Sequence, residues 1–167
     1  MRESIFNILA GRVFGSRLLD LFAGTGALGL EALSRGAKHA TFIDNHPAAL
    51  ELIKKNIKVC EWADRTEIIR WDSTRNLNCI KCPIELYSLV FIDPPYRSEK
   101  VPTILRQLDR SNALTSKALV IVEHSSTEIL DGKISAFVLE DQRAYGKNQV
   151  SFLQYMIYVA GMSGELL

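Results

Sequence analysis

Among the residues able to do chemistry, Asp93-Pro94-Pro95-Tyr96 stands first, because it follows directly on an apolar run over residues 86–92. Neither proline has an N–H to donate, so the run cannot continue a β-ladder beyond Asp93. Their carbonyls stay free and their fixed φ holds those carbonyls in one direction. A buried strand ending this way presents a carboxylate, rigid acceptors and a flat ring to something that donates hydrogen bonds. An Asp or Asn followed by two prolines and an aromatic is expected by chance in roughly a few chains per thousand of this length. The carboxyl end of a strand is also where open α/β sheets bind their ligands.

A second constellation lies upstream. Residues 20–29 read Asp-Leu-Phe-Ala-Gly-Thr-Gly-Ala-Leu-Gly, a G-x-G-x-x-G formed by Gly24, Gly26 and Gly29 between a strand and a helix. The glycines permit close backbone approach, and the helix start offers unpaired N–H groups. Asp44, at the end of the next strand, is placed to accept from a ribose diol. These features suit NAD and S-adenosylmethionine equally. Asp20 separates them: a pyrophosphate disfavours a carboxylate facing the loop, whereas an ammonium and a sulfonium are stabilised by one. Asp72, ending the third strand, could accept from an adenine amine, with Ile43 and Trp71 to sandwich the ring. Each of these acids could instead be a structural cap, since acids are common at strand ends and loops.

With a methyl donor beside it, the Asp93 motif reads as a site for an exocyclic amine. Such an amine is a poor nucleophile, because its lone pair is delocalised into the ring. The Asp93 carboxylate and Pro94 carbonyl can hold its two hydrogens, favouring tetrahedral nitrogen, while Tyr96 stacks on a base drawn out of its helix or loop. No covalent enzyme intermediate is needed; orientation and electrostatics supply the rate.

The elements that position these groups alternate. Strands are predicted at residues 17–22, 38–44, 66–71, 86–93 and 118–124. Helices are predicted at residues 1–9, 27–35, 47–58 and 98–110, with a shorter one at 73–77. Near-continuous apolar strands alternating with helices imply a parallel sheet covered on both faces. Residues 134–140 and 150–159 are two strands with no helix-length segment between them, hence an antiparallel hairpin. That tail differs from the doubled βαβαβ of a dinucleotide dehydrogenase.

The 167 residues carry a net charge of +1, with 47% apolar and 23% charged residues, which suits one globular domain. There is no global basic signal for nucleic acid, no run long enough for a membrane span and no secretory h-region, so a cytoplasmic protein is expected. Cys60, Cys79 and Cys82 make no disulfide framework, and the lone C-x-x-C lacks the second half of a zinc site, so no metal is expected.

The segments DLFAGTGALGLEALSRGA, FID, FIDPPY and LVIVEH, with RESIFNIL near the start and RAYGKNQVSF near the end, resemble the RsmD family. These are bacterial 16S ribosomal RNA guanine-N2 methyltransferases of the class I, S-adenosylmethionine-dependent fold. The resemblance implies an α/β, Rossmann-like three-layer sandwich with a seven-stranded, mostly parallel sheet and an antiparallel C-terminal strand slotted between the fifth and sixth. It implies S-adenosylmethionine as cofactor, S-adenosylhomocysteine as product and no metal. Asp20, Phe22, Gly24, Thr25 and Gly26 would line the methionine end, Asp44 and Asn45 the ribose, and Asp72 and Ser73 the adenine. Asp93, Pro94, Pro95 and Tyr96 would hold the guanine. The expected partner is 16S rRNA or an assembling 30S particle, met by a monomer through Arg97, Lys100, Arg143 and Lys147. Family members usually carry a basic N-terminal extension before RESIFNIL, which is expected to be missing from residues 1–167. Glu123 and His124 end the fifth strand near the mouth, either as structurally satisfied groups or with a role. Adenine-N6 or cytosine-N4 methylation, a non-catalytic binding module and a dehydrogenase are the competing readings.

Overall fold

The computed structural model describes residues 1–81, 83–95, 100–130 and 133–157. Cys82, Tyr96 and Arg97 lie outside the described residues. Among the described residues, eight strands form one sheet: β1 (Arg17–Leu21), β2 (His39–Asp44), β3 (Thr66–Arg70), β4 (Tyr87–Ile92), β5 (Leu114–Ser125), β6 (Lys133–Ile134), β7 (Phe137–Tyr145) and β8 (Asn148–Tyr155). Their order is β3-β2-β1-β4-β5-β8-β7-β6. The five strands from β3 to β5 are mutually parallel, and β8 runs antiparallel to both β5 and β7. The last long strand therefore slots between two earlier ones, as the resemblance implied.

Period-two alternation sorts each central strand between two cores. On one face, Leu18, Phe42, Leu89, Phe91, Ile121 and Phe152 meet the helices α1 (Arg2–Leu9), α2 (Ala27–Ser34) and α3 (Pro47–Cys60). On the other, Leu19, Leu21, Ile43, Val90, Ile92, Val120 and Val122 pack with α4 (Val101–Arg110) and with Leu77 and Ile80. Helices on both sides make the three layers. Helix α4 shows how the sequence dictates this. Val101, Ile104, Leu105 and Leu108 fall at i, i+3, i+4 and i+7 and are completely buried. Each contributes roughly 2 kcal/mol of apolar burial. Pro102 sits in the first turn, where a missing N–H costs nothing.

Two local expectations need correction. Residues 73–77 form a turn and not a helix, followed by a single 3₁₀ turn over Asn78–Ile80. The reason lies in the side chains: Asp72 Oδ1 accepts from both the N–H and the hydroxyl of Thr74, and the Asn76 side-chain oxygen accepts from the Asn78 N–H. Such local bonds compete with the helical ladder. Residues 134–140 are not one strand either. Ser135 takes a left-handed φ of 56°, so the chain doubles back and β6 pairs with the start of β7. The seven expected strands are present, and this two-residue stub is the eighth. Strand β5 is also longer than expected, beginning at Leu114, with a register shift against β4 between Tyr87 and Leu89.

Among the described residues no helix is long and apolar enough to cross a membrane. Cys60 and Cys79 are free thiols, and no described group of His, Cys, Asp and Glu is arranged to hold a metal ion.

Candidate active site

The sheet reverses its order between β1 and β4, and the site residues gather where those strands end. The five parallel strands each finish in an acid: Asp72 just past β3, Asp44 on β2, Asp20 on β1, Asp93 just past β4 and Glu123 on β5. A mouth rimmed by carboxylates disfavours a pyrophosphate and favours a cation and hydrogen-bond donors.

Asp20 lies deepest, only 2% exposed. Its Oδ2 accepts one hydrogen bond, from the Gly29 N–H at 3.1 Å. Burial pushes its pKa up to about 7 against the pull of that N–H, with the charges of Asp93 and Asp44 adding to the rise. A buried carboxyl with so little compensation has capacity left for a positively charged ligand. The loop after β1 is built from left-handed residues: Phe22 at φ 63°, Gly24 at 55° and Gly26 at 74°. For Phe22 this conformation is strained, and strain of this kind concentrates at ligand-binding turns. Gly29 is required for a different reason. A Cβ there would lie 2.3 Å from Phe42 Cε1 and 3.2 Å from Asp20 Oδ2, so α2 can approach the sheet this closely only with glycine. Below the loop, the Asn56 side-chain amide donates to the Thr25 carbonyl at 3.1 Å and leaves Thr25 itself exposed.

Asp44 ties the loop to β2. Its Oδ2 accepts from the Gly24 N–H at 2.9 Å and its Oδ1 from the His46 N–H at 2.8 Å. Each oxygen keeps a second lone pair for a hydroxyl. Asn45 is exposed beside it. Asp72 is held by the Thr74 hydroxyl, the main cause of its lowered pKa, and by an ion pair with Arg75 at 3.0 Å. The adjacent Ser73 hydroxyl is buried with no hydrogen-bond partner. A buried orphan of this kind, beside a half-buried acid, suits a ligand bearing both donors and acceptors. Of the two residues expected to sandwich an adenine, Trp71 is half-buried and donates its indole N–H to the Asn76 carbonyl. Ile43 is fully buried in the core with α4 and faces no open space.

At the neighbouring position the Asp93 N–H reaches the Leu21 carbonyl at 3.5 Å, so the β1–β4 ladder runs on by one residue. The side chain is open to solvent at the mouth, yet the protein beneath it raises its pKa to about 6, with the Glu123 charge as the second cause. Pro94 is half-buried and Pro95 exposed. Glu123 Oε1 accepts from the Asn148 side-chain amide at 2.8 Å. His124 turns away. Its Nδ1 donates to the Ser125 carbonyl, its Nε2 accepts from the Ser151 hydroxyl at 2.8 Å, and burial lowers its pKa, so it is a neutral structural imidazole.

The cationic candidates are spread around the rim. Lys100 is exposed immediately before α4, and Lys147 is exposed in the β7–β8 turn. Arg143 is exposed and pairs with Asp141 at 2.9 Å, which leaves further N–H donors of its guanidinium at the surface. The structure brings Asp20, Asp44, Asp72 and Asp93 to one mouth, while the position of Glu123 beside Asp93 follows only from the β4–β5 register, and the carboxylate tie between Asp44 and the glycine loop carries no signal in the sequence.

The family model described as "Conserved hypothetical protein 95" matches residues 1–154. The chain is 33% identical over 151 residues to a putative rRNA methyltransferase of Bacillus subtilis, covering 90% of this chain and 82% of that protein. It is 30% identical over 165 residues to ribosomal RNA small subunit methyltransferase D of Escherichia coli, covering 99% of this chain and 79% of the relative. A solved putative methyltransferase from Escherichia coli superposes with a TM-score of 0.82 at 29% identity, over 92% of this chain and 85% of that one. The chain therefore belongs to the Conserved hypothetical protein 95 family, that of ribosomal RNA small subunit methyltransferase D.

Proposed function

We propose that this protein works as a single methyltransferase domain that transfers a methyl group from S-adenosylmethionine to the exocyclic N2 amine of a guanine in 16S ribosomal RNA, in the cytoplasm. The observation that carries this reading is the placement of Asp20 and Asp93 on adjacent strands at the switch point, Asp20 level with Phe91 and Asp93 two residues beyond it. One is a buried acid with unspent capacity for a cation, and the other is an open acid followed by two prolines.

S-adenosylmethionine, when bound, supplies an electrophilic methyl group. The residues present fit it. Asp20 and the left-handed Phe22–Gly26 turn, with Thr25, would hold its charged end, Asp44 and Asn45 its ribose, and Asp72 and the orphaned Ser73 hydroxyl its adenine. No metal is called for in this scheme. The chain's own contribution to the reaction is made at the amine. Asp93 and the Pro94 carbonyl hold the two N2 hydrogens, which turns the nitrogen lone pair away from the ring. The Pro94-Pro95 pair fixes the direction in which the carbonyl points. Once the nitrogen gains its fourth bond it must lose a proton, and Asp93, with a pKa of about 6, is a base of suitable strength to receive it. Tyr96 stacks on the base, and Arg97, Lys100, Arg143 and Lys147 contact the RNA backbone. Phosphate contacts of this kind position a substrate without reading its sequence.

Calorimetry with S-adenosylmethionine and with NAD tests the cofactor, and binding of NAD alone rejects the proposal. Mass spectrometry of ribosomal RNA from cells lacking the protein tests the substrate. One N2-methylguanine fewer is expected, and an unchanged count rejects the guanine assignment.

A further inference from the structure

We propose that Glu123 determines base specificity, its unshared carboxylate oxygen accepting the ring N1–H of the guanine whose N2 amine Asp93 holds. This rests on the reading of the mouth as an N2 site. The register that pairs Ile92 with Val122 carries Asp93 level with Glu123 on the neighbouring parallel strand. Alternation then sends both side chains to the same face as Phe91 and Ile121. Asn148 on β8 takes one oxygen, Oε1, at 2.8 Å, while Oε2 has no hydrogen-bond partner among the described residues. The residue is half-buried, so it is held and still open. Its charge adds to the raised pKa of Asp93, in keeping with the closeness that the strand register gives.

Two carboxylates side by side repel, and the arrangement is favoured only by a ligand that brings donors to both. The three bases with exocyclic amines differ here. In guanine the N2 amine is flanked by N1–H, a second donor. In adenine the N6 amine lies between the N1 and N7 lone pairs, and in cytosine the N4 amine lies beside the N3 lone pair. The acceptor oxygen of Glu123 next to the amine site is therefore matched by guanine alone and opposed by a lone pair in the other two. The Asp-Pro-Pro motif binds any such amine; the neighbouring strand chooses among them. A site built around a substrate N–H rejects an analogue lacking it by about 10⁴- to 10⁵-fold, and a half-open carboxylate should give roughly 10- to 100-fold.

The test uses the substrate RNA with 2-aminopurine at the guanine that mass spectrometry shows to be methylated. This analogue keeps the N2 amine and replaces N1–H with a lone pair. The unmutated enzyme should favour guanine by about 30-fold in kcat/KM. In Glu123→Gln, Oε1 can keep the Asn148 bond while Nε2 donates to the bare N1, so the preference should fall to near unity or invert. In Glu123→Ala the ratio should narrow through loss on guanine alone. Cofactor affinity by calorimetry, unchanged in both variants, controls for folding. A ratio that does not move, or equal losses on both RNAs, overturns the role of Glu123 and leaves the N2 reading intact. If the unmutated protein makes no N2-methylguanine in the unmodified RNA, both fall together.

Discussion

Asp20→Asn should make the protein without cofactor more stable at pH 8 while weakening its hold on S-adenosylmethionine. Burial raises the Asp20 pKa from 3.8 to about 7, so between those values the folded state binds a proton that the unfolded state has released. Stability is then highest at low pH and falls as pH rises, levelling off above about pH 7. Each unit over which the two states differ is worth about 1.4 kcal/mol, so this one group removes roughly 3 kcal/mol between pH 5 and pH 8. Asparagine does not titrate, and its side-chain oxygen can still accept from the Gly29 N–H. Against the gain stands an amide NH₂ with no assigned partner, costing roughly 1–2 kcal/mol. The parent's loss begins at the unfolded value of 3.8, so it has already reached roughly 1.6 kcal/mol at pH 5 and roughly 4 kcal/mol at pH 8; the net expectation is a variant about as stable as the parent at pH 5 and about 2–3 kcal/mol more stable at pH 8. Urea denaturation of both proteins at the two pH values measures this, and other titrating groups cancel in the comparison. A stability difference constant with pH to within about 0.5 kcal/mol would refute the reasoning, because it would mean that Asp20 is not a strained acid. Binding supplies an independent check. The arrival of a cation should lower the Asp20 pKa and expel a proton near pH 7, so the calorimetric enthalpy should depend on the ionisation heat of the buffer in the parent and not in the variant.

Asp93→Asn should lower methyl transfer by two or more orders of magnitude and leave the calorimetric cofactor Kd within a few-fold; a large loss of cofactor affinity would show that Asp93 serves binding. In the unmutated enzyme kcat/KM should rise with pH up to about 6 and level off above it, as Asp93 ionises, and a profile flat from pH 5 to 7 would argue against Asp93 as the proton acceptor. Gly29→Ala should cost about 2–4 kcal/mol in urea denaturation, because the new methyl group meets the Phe42 ring and Asp20; a loss below about 0.5 kcal/mol would mean that α2 can shift freely. Ser73→Ala should leave stability within about 0.5 kcal/mol, since its hydroxyl has no partner to lose, but weaken cofactor binding several-fold; unchanged affinity would remove Ser73 from the cofactor site.

The parallel half of the sheet was legible because strands buried on both faces are near-continuously apolar, and the runs at residues 18–22, 40–43 and 89–92 carry at most one polar residue each. The acids ending those runs were legible for the same reason: a carboxylate closing an apolar run marks the end of the buried segment. What escaped depended on contacts across the chain or on local side-chain bonds. The turn at residues 73–77 is rich in Ser73, Thr74 and Asn76, which favour caps and turns over helix interiors, and the Asp72 carboxylate draws in the Thr74 N–H. The break at Ser135 rests on one left-handed residue that no glycine or asparagine announces. Ile43 was misplaced by its neighbour: Asp44 reaches the mouth, and alternation buries the residue before it among the side chains around α4. The meaning of Glu123 was out of reach until the strand register put it level with Asp93.

The placement of β8 has a consequence for how the molecule is made. Strand β5 finds its outer neighbour only in a segment that follows it by more than twenty residues and is synthesised after β7. Until then its apolar edge, Leu119 to Val122, has an unpaired row of backbone groups, which invites association with other chains. Asn148, which orients Glu123, arrives on that same strand. The nascent chain therefore cannot assemble a finished mouth before its last long strand has emerged, so folding and acquisition of the site should be one event, slow for a domain of this size because its decisive contacts are distant in sequence.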